Sequence, residues 1–413
     1  MFFSVFLLNC IQKQRRGGVG LKRKKILIPG GNPSEYQLIN AAHRLGLYVI
    51  TSGNNRFAPA HQFADRYIEA DFSDKEAMLS LARENHIDYM CSNSNDIGLI
   101  STCYVCEQLG LPGHDSYETT LKLHHKDSFK NLAKKLCLHV TEGESFSDPK
   151  KALEYAESLP YTAIVKPIDL VGGNGVSVVD SYDEKAKAIE KAFHDSLNKR
   201  IVIERFVDGT AHSLSTYIVN GKVVNYYCDN EYILGRPFKI STSAGPATDF
   251  DLVKSSLICD AEKVAEELKL VDGSLHLQYL MQNGKPYILE MTRRTCGDLY
   301  SVPESFALGF NTADWKMRAE CGMSIESIPR TQQSGFYGRH CITGRHVGIT
   351  NGIDVSPNLD KCVIKKWLWG AYGYHITNSE NDILGLLFFQ FEDENQAQNI
   401  LARLDDLIIV NYI

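Results

Sequence analysis

The chain lacks the excess of basic residues that is typical of proteins that bind nucleic acid or anionic membranes. It has 44 Lys and Arg residues against 50 Asp and Glu residues, and its formal net charge at pH 7 is -6. It also lacks an apolar run long enough to cross a bilayer, because the run at 1–8 is short and a basic stretch at 13–25 follows it. We therefore expect neither nucleic acid nor membrane as a partner.

The N-terminus lacks the features of a signal peptide, since positive charge follows the apolar residues and no small-residue cleavage site is evident. We interpret 1–23 as a disordered extension or as the product of an upstream start codon. Folded sequence is expected to begin near Lys24.

The sequence also lacks a disulfide framework. Its 11 cysteines are an odd number, scattered singly through apolar stretches. This distribution favours buried thiols in a reducing compartment, and we expect a cytoplasmic protein. Cys103 and Cys106 form one CxxC in a helix-like run, but a zinc set needs a second pair, so we assign them to packing.

No internal repeat or low-complexity tract is present, and 413 residues with 44% hydrophobic content allow two or three domains. From Lys25, strands and helices alternate, which predicts a parallel sheet flanked by helices in an α/β domain at 24–115. A second domain is expected at 116–328, with a lid at about 160–208, and a C-terminal domain at 329–413.

The first predicted strand ends in Gly30-Gly31-Asn32, which lacks the third glycine of a dinucleotide-binding loop. We interpret it as a short turn, at a sheet edge that is a candidate part of a substrate pocket. Asn32 is expected to cap the following helix, with Pro33 at its first position and Glu35 closing a capping box.

The most informative segment carries a lysine and a glycine-rich loop between two predicted strands. Lys166 ends the first strand, at 164–167, and the second strand is expected at 176–179. Glycines let backbone N–H groups approach a phosphate, and a lysine supplies a mobile positive charge. The pattern predicts a phosphate-binding lid, with a flexible hairpin tip as the alternative. The loop consists of Gly172, Gly173, Asn174 and Gly175.

Three further segments carry residues suited to nucleotide chemistry. Lys126 precedes a helical segment, and a strand with charged residues runs through 201–209. Downstream, an Asn283-Gly284 turn joins two strands that place Gln278 opposite Glu290. Because Mg2+ takes oxygen ligands and needs only one or two from protein when phosphates are present, this hairpin is a candidate metal site.

Taken together, these motifs resemble the ATP-grasp superfamily in order and approximate spacing, and the branch resembled contains biotin carboxylase, carbamoyl phosphate synthetase and the amino-acid ligases. The resemblance runs from about Lys25 to Gly322. It implies an α/β ATP-grasp fold: an N-terminal Rossmann-like domain, an ATP-grasp domain with a mobile lid, and a small C-terminal α+β domain. It rests on Lys126, 165–167, 172–175, 204–207, Gln278, Glu290 and Arg294.

The resemblance also implies roles for single residues. Lys126 and Lys166 would contact the ATP phosphates, beneath the loop at 172–175. Glu204 would accept a hydrogen bond from the adenine amine, and Val207 would bind the base through its backbone. The implied cofactors are ATP and Mg2+, with Mn2+ as a substitute.

Other positions match the family less closely. Glu290 is the implied bridging metal ligand, with Gln278 and Thr292 beside it, but Thr292 replaces the usual asparagine and leaves a second metal in doubt. Arg294 would stabilise the transferred phosphoryl group, against the alternative that Glu290 and Arg294 form a surface ion pair. His212 would contact the ribose, against the alternative of a solvent-facing histidine.

The implied activity is that of a carboxylate–amine ligase, which activates a carboxylate as an acyl phosphate and releases ADP and Pi. Small-molecule carboxylate and amine substrates are the expected partners, and Arg236 and Arg293 are candidates to bind a carboxylate. Two alternatives remain open: a bicarbonate-activating carboxylase and a non-catalytic ATP-binding regulator. Oligomeric state is also open, with a homodimer as the candidate because relatives are often dimers.

Overall fold

A computed structural model describes residues 23–170, 173–233, 240–379 and 382–413. The extension predicted at 1–23 lies outside the described residues except for Arg23, and so do Gly172 and Arg236. Among the described residues, no helix is both long and apolar enough to cross a bilayer. None of the ten cysteines in these ranges forms a disulfide and most are buried, including Cys103 and Cys106, as the packing interpretation predicts. The cytoplasmic location stays a prediction.

The strands form four sheets. In chain order they are β1 (Lys25–Pro29), β2 (Tyr48–Gly53), β3 (Arg66–Glu69), β4 (Tyr89–Met90), β5 (Gly143–Phe146), β6 (Ala163–Pro167), β7 (Ser177–Val179), β8 (Ile201–Arg205), β9 (Thr210–Val219), β10 (Lys222–Tyr232), β11 (Thr242–Gly245), β12 (Gly273–Gln282), β13 (Lys285–Thr292), β14 (Phe336–Thr343), β15 (Gly348–Val355), β16 (Val363–Leu368), β17 (Tyr372–Ile376), β18 (Ile383–Phe391) and β19 (Ile408–Tyr412).

The helices pack against these sheets. In chain order they are α1 (Glu35–Arg44), α2 (Lys75–Glu84), α3 (Asp96–Leu109), α4 (Tyr117–His124), α5 (Lys126–Leu136), α6 (Pro149–Ser158), α7 (Tyr182–Asp195), α8 (Phe250–Leu268), α9 (Ser301–Leu308), α10 (Thr312–Glu320), α11 (Pro357–Asp360), α12 (Glu394–Leu401) and α13 (Leu404–Leu407), with a short 3-10 helix at His61–Phe63.

The N-terminal sheet is parallel, in the order β3-β2-β1-β4, which confirms the predicted α/β arrangement. Successive residues of β1 point to opposite faces, and both faces are covered. Ile26 and Ile28 pack in the layer of α1, while Leu27 packs with Met78 of α2 and Val105 of α3. Because both faces of β1 are buried, its residues do not alternate between apolar and polar along the strand.

The predicted start of α1 is wrong. The helix begins at Glu35, and Ser34 occupies the N-cap position with helical backbone angles and no side-chain cap. The Glu35 carboxylate accepts hydrogen bonds from the backbone N–H and the hydroxyl of Ser94, at 3.2 and 2.8 Å, and the backbone of Asn32 also hydrogen-bonds to it. The carboxylate therefore joins the start of α1 to a distant loop.

The lid consists of an antiparallel sheet in the order β5-β8-β6-β7, covered by α6 and α7. Alternate residues of its central strands, including Val165 and Ile203, are fully buried against Ala152 and Ala192. This sheet begins at Gly143, upstream of the lid boundary expected at about 160. Lys166 and Glu204 lie on neighbouring strands, on the face of this sheet opposite to the packed one.

The largest sheet has eight strands in the order β13-β12-β9-β10-β11-β14-β18-β16. Its core lies beneath α8, where Leu257 and Val264 pack with Leu275 and Leu277 of β12. Because β14, β16 and β18 follow residue 329, the boundary expected there falls within one continuous sheet.

The rest of the C-terminal region adds a three-stranded sheet, β17-β15-β19. After β18 the chain forms α12, which ends at Leu401, then α13, and then β19. Strand β19 pairs with β15, so its partner lies more than fifty residues upstream and local sequence gives no sign of the pairing.

Candidate functional site

Lys166 and Glu204 meet on adjacent strands of the lid sheet. In the register of β6 and β8, Lys166 lies two residues from Ile164, the partner of Glu204, and its Nζ is 2.9 Å from Glu204 Oε2. Burial would raise the pKa of Glu204, but Lys166 and Lys130 outweigh it and hold that pKa at about 2. Glu204 is thus an ionised hydrogen-bond acceptor at neutral pH.

Lys126 approaches the same region from the first turn of α5. Its Nζ donates a hydrogen bond to the carbonyl of Leu170 in the lid loop, at 2.6 Å. Burial lowers the pKa of Lys126, the charge of Lys166 lowers it further, and Glu290 opposes the shift. Lys126, Lys166 and Glu290 therefore share one electrostatic environment.

The described part of the glycine loop forms a tight turn between β6 and β7. Gly173 and Gly175 have φ angles of 77° and 72°, in the left-handed region that favours glycine. A Cβ at Gly175 would lie 2.8 Å from Cγ of Pro167. The turn therefore requires glycine for close approach as well as for its backbone angles, and Asn174 lies at its tip.

The predicted base and ribose ligands follow β8. Val207 is buried, and His212 on β9 is 2% exposed and stacks on Tyr279, with ring centroids 5.2 Å apart. The solvent-facing alternative for His212 is therefore wrong. Burial lowers the pKa of His212 to about 4, so the ring is neutral at pH 7, and its Nε2 lies 2.6 Å from the Thr210 hydroxyl.

The candidate metal site lies on the β12–β13 hairpin, where Gln278 and Glu290 are direct partners in the register. The Gln278 amide donates to the Glu231 carboxylate at 2.8 Å, which orients its own carbonyl oxygen. Within the described residues the Glu290 side chain makes no hydrogen bond. The same residues contain no group of three or more His, Cys, Asp or Glu side chains that could hold a metal by themselves. One carboxylate and one amide oxygen fit Mg2+ that is held mainly by phosphates and water.

Thr292 is placed differently from the other two predicted metal ligands. It is 3% exposed, and its hydroxyl donates a 3.5 Å hydrogen bond to Asp96 Oδ1. The same hydroxyl accepts a bond from the backbone N–H of Arg294. Its hydroxyl is thus engaged with the N-terminal domain.

Arg294 forms a buried ion pair with Asp96, at the start of α3 in the N-terminal domain. Its Nε and Nη2 donate to the two oxygens of Asp96, the second at 3.2 Å. Although burial disfavours both charges, each partner stabilises the other: the pKa of Asp96 is lowered and that of Arg294 is raised. The alternative of a surface ion pair between Glu290 and Arg294 is therefore wrong.

Arg293, proposed as a substrate-carboxylate ligand, is a structural residue. Its Nε donates to Asp115 Oδ2 at 2.8 Å, and its Nη atoms donate to the carbonyls of Ser274 and Val271. Both side chains of the ion pair are at most 8% exposed. The guanidinium is thus fully used within the protein.

Replacing Arg293 with methionine is expected to lower the free energy of unfolding by about 3–5 kcal/mol, because it leaves the buried Asp115 carboxylate unpaired. Chemical denaturation measures the change. Arg44→Met is the control: it removes an exposed pair with Asp314 and should cost about 1 kcal/mol or less. Equal stability of the two variants would contradict the structural assignment of Arg293.

Two charged residues near the candidate metal site were missed by sequence reasoning. Arg339 on β14 is 4% exposed, lies over the Tyr300 ring at 5.6 Å and has its Nη1 3.7 Å from Asp298. Glu231 on β10 holds Gln278, and burial and the charge of Asp229 raise its pKa to about 8. The sequence gives no distinctive signal for either residue, because polar residues adjoin both of them: Asn230 precedes Glu231 and His340 follows Arg339.

The structure thus brings Lys126, Lys166, Glu204 and Glu290 together between the lid and the large sheet, with Arg294 linking this region to the N-terminal domain. Residues 123–298 match the model of the ATP-grasp domain. This part of the chain is therefore similar to the ATP-grasp domain, and members of that family are ATP-dependent ligases that use ATP and Mg2+.

Curated relatives belong to the carbamoyl phosphate synthase and formyltransferase branches. The C-terminal section of the carbamoyl phosphate synthase large chain from Methanocaldococcus jannaschii is 23% identical over 326 residues, covering 74% of this chain and 52% of that protein. The formate-dependent phosphoribosylglycinamide formyltransferase of the same organism is 27% identical over 189 residues, covering 45% of this chain and 48% of the relative. The chain thus spans about half the length of these relatives.

Solved structures share the fold across nearly the whole chain. The L-amino acid ligase from Bacillus licheniformis superposes with a TM-score of 0.79 and 21% identity, covering 95% of this chain and 100% of that one. Phosphoribosylglycinamide synthetase from Anaerococcus prevotii gives a TM-score of 0.76 and 16% identity, with coverage of 95% and 100%. At these identities the likeness establishes the fold.

Proposed function

We propose that the protein is an ATP-dependent carboxylate–amine ligase. The observation that carries the proposal is the proximity of Lys126 and Lys166 to Glu290, with Arg294 held close by. Lysines far apart in sequence converge on one carboxylate, which is the arrangement that a triphosphate with a divalent cation requires. In the proposed nucleotide site, the roles implied by the resemblance put Glu204 and Val207 on the adenine side and His212 near the ribose.

In the proposed reaction, a carboxylate oxygen of the substrate attacks the γ-phosphorus of ATP, the bond to the β–γ bridging oxygen breaks, and ADP leaves. The amine nitrogen then attacks the acyl carbon, Pi departs, and the nitrogen loses a proton to give an amide. Lys126, Lys166 and Arg294 offset the charge that builds on the transferred phosphoryl oxygens. Mg2+, held by Glu290 and Gln278, would neutralise phosphate charge and orient the oxygens for in-line transfer.

The carboxylate substrate has a candidate ligand in Arg339. Its guanidinium is buried, and its Nε has no hydrogen-bond partner among the described residues. A buried guanidinium with a free donor is suited to a carboxylate, which accepts two parallel hydrogen bonds from it. The charge of Arg339 also acts on Glu231, which accepts a hydrogen bond from Gln278. A substrate carboxylate bound to Arg339 would therefore lie next to the metal site.

The lid supports the proposal because an acyl phosphate must be protected from water. Lys126 donates a hydrogen bond to the Leu170 carbonyl of the lid loop. If Lys126 binds the ATP phosphates, the same side chain links the nucleotide to the loop. Closure of the turn at Gly173–Gly175 would exclude water during transfer to the amine. A homodimer, expected from the resemblance, stays a prediction.

The test is an assay of ADP and amide formation. The protein is incubated with ATP, Mg2+ and pairs drawn from a panel of amino acids, and products are identified by mass spectrometry. We expect ADP formation to require both a carboxylate and an amine for at least one pair, with one amide formed per ADP.

Two outcomes would favour the alternatives. ADP formation that depends on bicarbonate, without any added amine, would replace the ligase with a carboxylating enzyme. Nucleotide binding without ADP formation for any substrate, and without an effect of Mg2+, would indicate a non-catalytic binding protein.

A further inference from the structure

The third lysine of the site, Lys130, was not predicted from the sequence and is not needed to hold phosphate. It lies one turn after Lys126 on the buried face of α5 and is 6% exposed. Its Nζ lies 2.8 Å from Glu204 Oε1 and donates to the Thr141 carbonyl at 2.9 Å. Both carboxylate oxygens of Glu204 thus form ion pairs, one with Lys130 and the other with Lys166.

The two lysines differ in how firmly they are fixed. Lys130 is anchored by the Thr141 carbonyl as well as by Glu204, whereas Lys166 donates only to Glu204 among the described residues. If Lys166 turns to the ATP phosphates, as the proposed function requires, Lys130 stays and becomes the main cation at Glu204. The carboxylate then keeps one partner throughout the nucleotide cycle.

We propose that Lys130 is a positioning residue that keeps Glu204 ionised and fixed, and that it thereby makes the site select 6-amino purines over 6-oxo purines. This inference rests on the proposed function, in which Glu204 faces the base. An ionised carboxylate can only accept hydrogen bonds, so it pairs with the adenine amine and repels the 6-oxo group of hypoxanthine. A protonated carboxyl group would instead donate to that oxygen.

The charges around Glu204 support this role. Lys130 and Lys126 face it from α5 and Lys166 faces it from β6, while the partner on β5 is the uncharged Gly143. Burial by itself raises the pKa of Glu204, and the lysines reverse the effect. Removing the charge of Lys130 while Lys166 is bound to phosphate therefore moves that pKa upward, toward the working pH range.

The experiment compares ADP and IDP, the 6-oxo analogue, as probes of the full chain by isothermal titration calorimetry at about pH 7.5 and about pH 5.5. For the wild type we expect a ratio of IDP to ADP dissociation constants that is the same at both pH values, because Glu204 titrates near pH 2. For Lys130→Met we expect the ratio of IDP to ADP dissociation constants to be about 10-fold or more lower at the lower pH than at the higher one. At the lower pH the protonated Glu204 would no longer accept from the adenine amine as a charged group, and it would donate to the 6-oxo group instead.

Two variants control the measurement. Lys134→Met removes an exposed lysine of the same helix, which pairs with Glu144 at the surface, and should behave like the wild type. Lys130→Arg keeps the charge and should keep the ratio independent of pH. If Lys130→Met does not fold, Lys130→Gln replaces it, because its amide can still donate toward the Thr141 carbonyl while carrying no charge.

The outcomes separate the two proposals. ADP binding by wild type and variant with the same pH-independent ratio would overturn the role of Lys130 and leave the nucleotide site intact. Failure of the wild type to bind either nucleotide would overturn the proposed function itself. A loss of affinity in Lys130→Met that is equal for both probes at both pH values would indicate a purely structural lysine and would also overturn the inference.

Discussion

Replacing Arg294 with methionine is expected to lower kcat about 10³-fold, while the dissociation constant for ADP changes little. The guanidinium is proposed to act on charge that develops only during transfer, so its loss raises the barrier by about 4 kcal/mol without weakening nucleotide binding in the ground state. Steady-state kinetics and calorimetry of the same preparation measure the two quantities.

The partner of Arg294 complicates this variant and also supplies its control. Methionine leaves the buried Asp96 carboxylate unpaired, and an unpaired buried charge destabilises the fold. The double variant Asp96→Asn, Arg294→Met removes both charges, so we expect its thermal stability to recover while its kcat stays low. Recovery of kcat together with stability would show that Arg294 acts only through folding.

Replacing Glu290 with glutamine is expected to lower kcat by a factor of about 10² or more and to raise the Mg2+ concentration needed for half-maximal activity. The substitution keeps the shape of the side chain and removes the charge that would hold the cation. ADP affinity measured in EDTA should be unchanged, because the carboxylate acts on the nucleotide only through the metal. Enzyme assays across a Mg2+ titration measure the effect.

The stability of this variant distinguishes a functional from a structural carboxylate. Burial and the charge of Asp96 raise the pKa of Glu290, although Arg294 and the two lysines oppose the shift. Its ionised form is thus unfavourable in the nucleotide-free fold, and Glu290→Gln should unfold at the same temperature as the wild type or higher. Glu267→Gln, which removes an exposed carboxylate paired with Lys135, is the matched control and should leave activity unaltered. Normal Mg2+ dependence in Glu290→Gln would contradict the metal assignment.

The parts of the fold that the sequence predicted are those specified by local pattern. The alternation of strand and helix from Lys25 and the hairpin around Asn283-Gly284 both depend on neighbours in sequence. In the same way, glycines and a lysine between two strands indicated the lid turn. Lys126 and Lys166 lie near Glu290, as the predicted phosphate site requires, and their roles stay predictions.

The features that the sequence missed depend on residues far apart in the chain. The partner of Arg294 is Asp96, nearly two hundred positions away, and Glu35 reaches Ser94 in a distant loop. Lys130 was passed over because a lysine on an amphipathic helix is usually exposed, and only the tertiary fold brings it next to Glu204 of β8. Pairing of β11 with β14 likewise joins strands nearly a hundred residues apart into one sheet.

A crystal structure of the protein with a non-hydrolysable ATP analogue and Mg2+ tests the central claim most directly. The account predicts a triphosphate in contact with Nζ of Lys126 and Lys166, a cation bound to the Glu290 carboxylate, and an adenine amine that donates to Glu204. A nucleotide bound elsewhere, or a triphosphate that touches neither lysine, would contradict it.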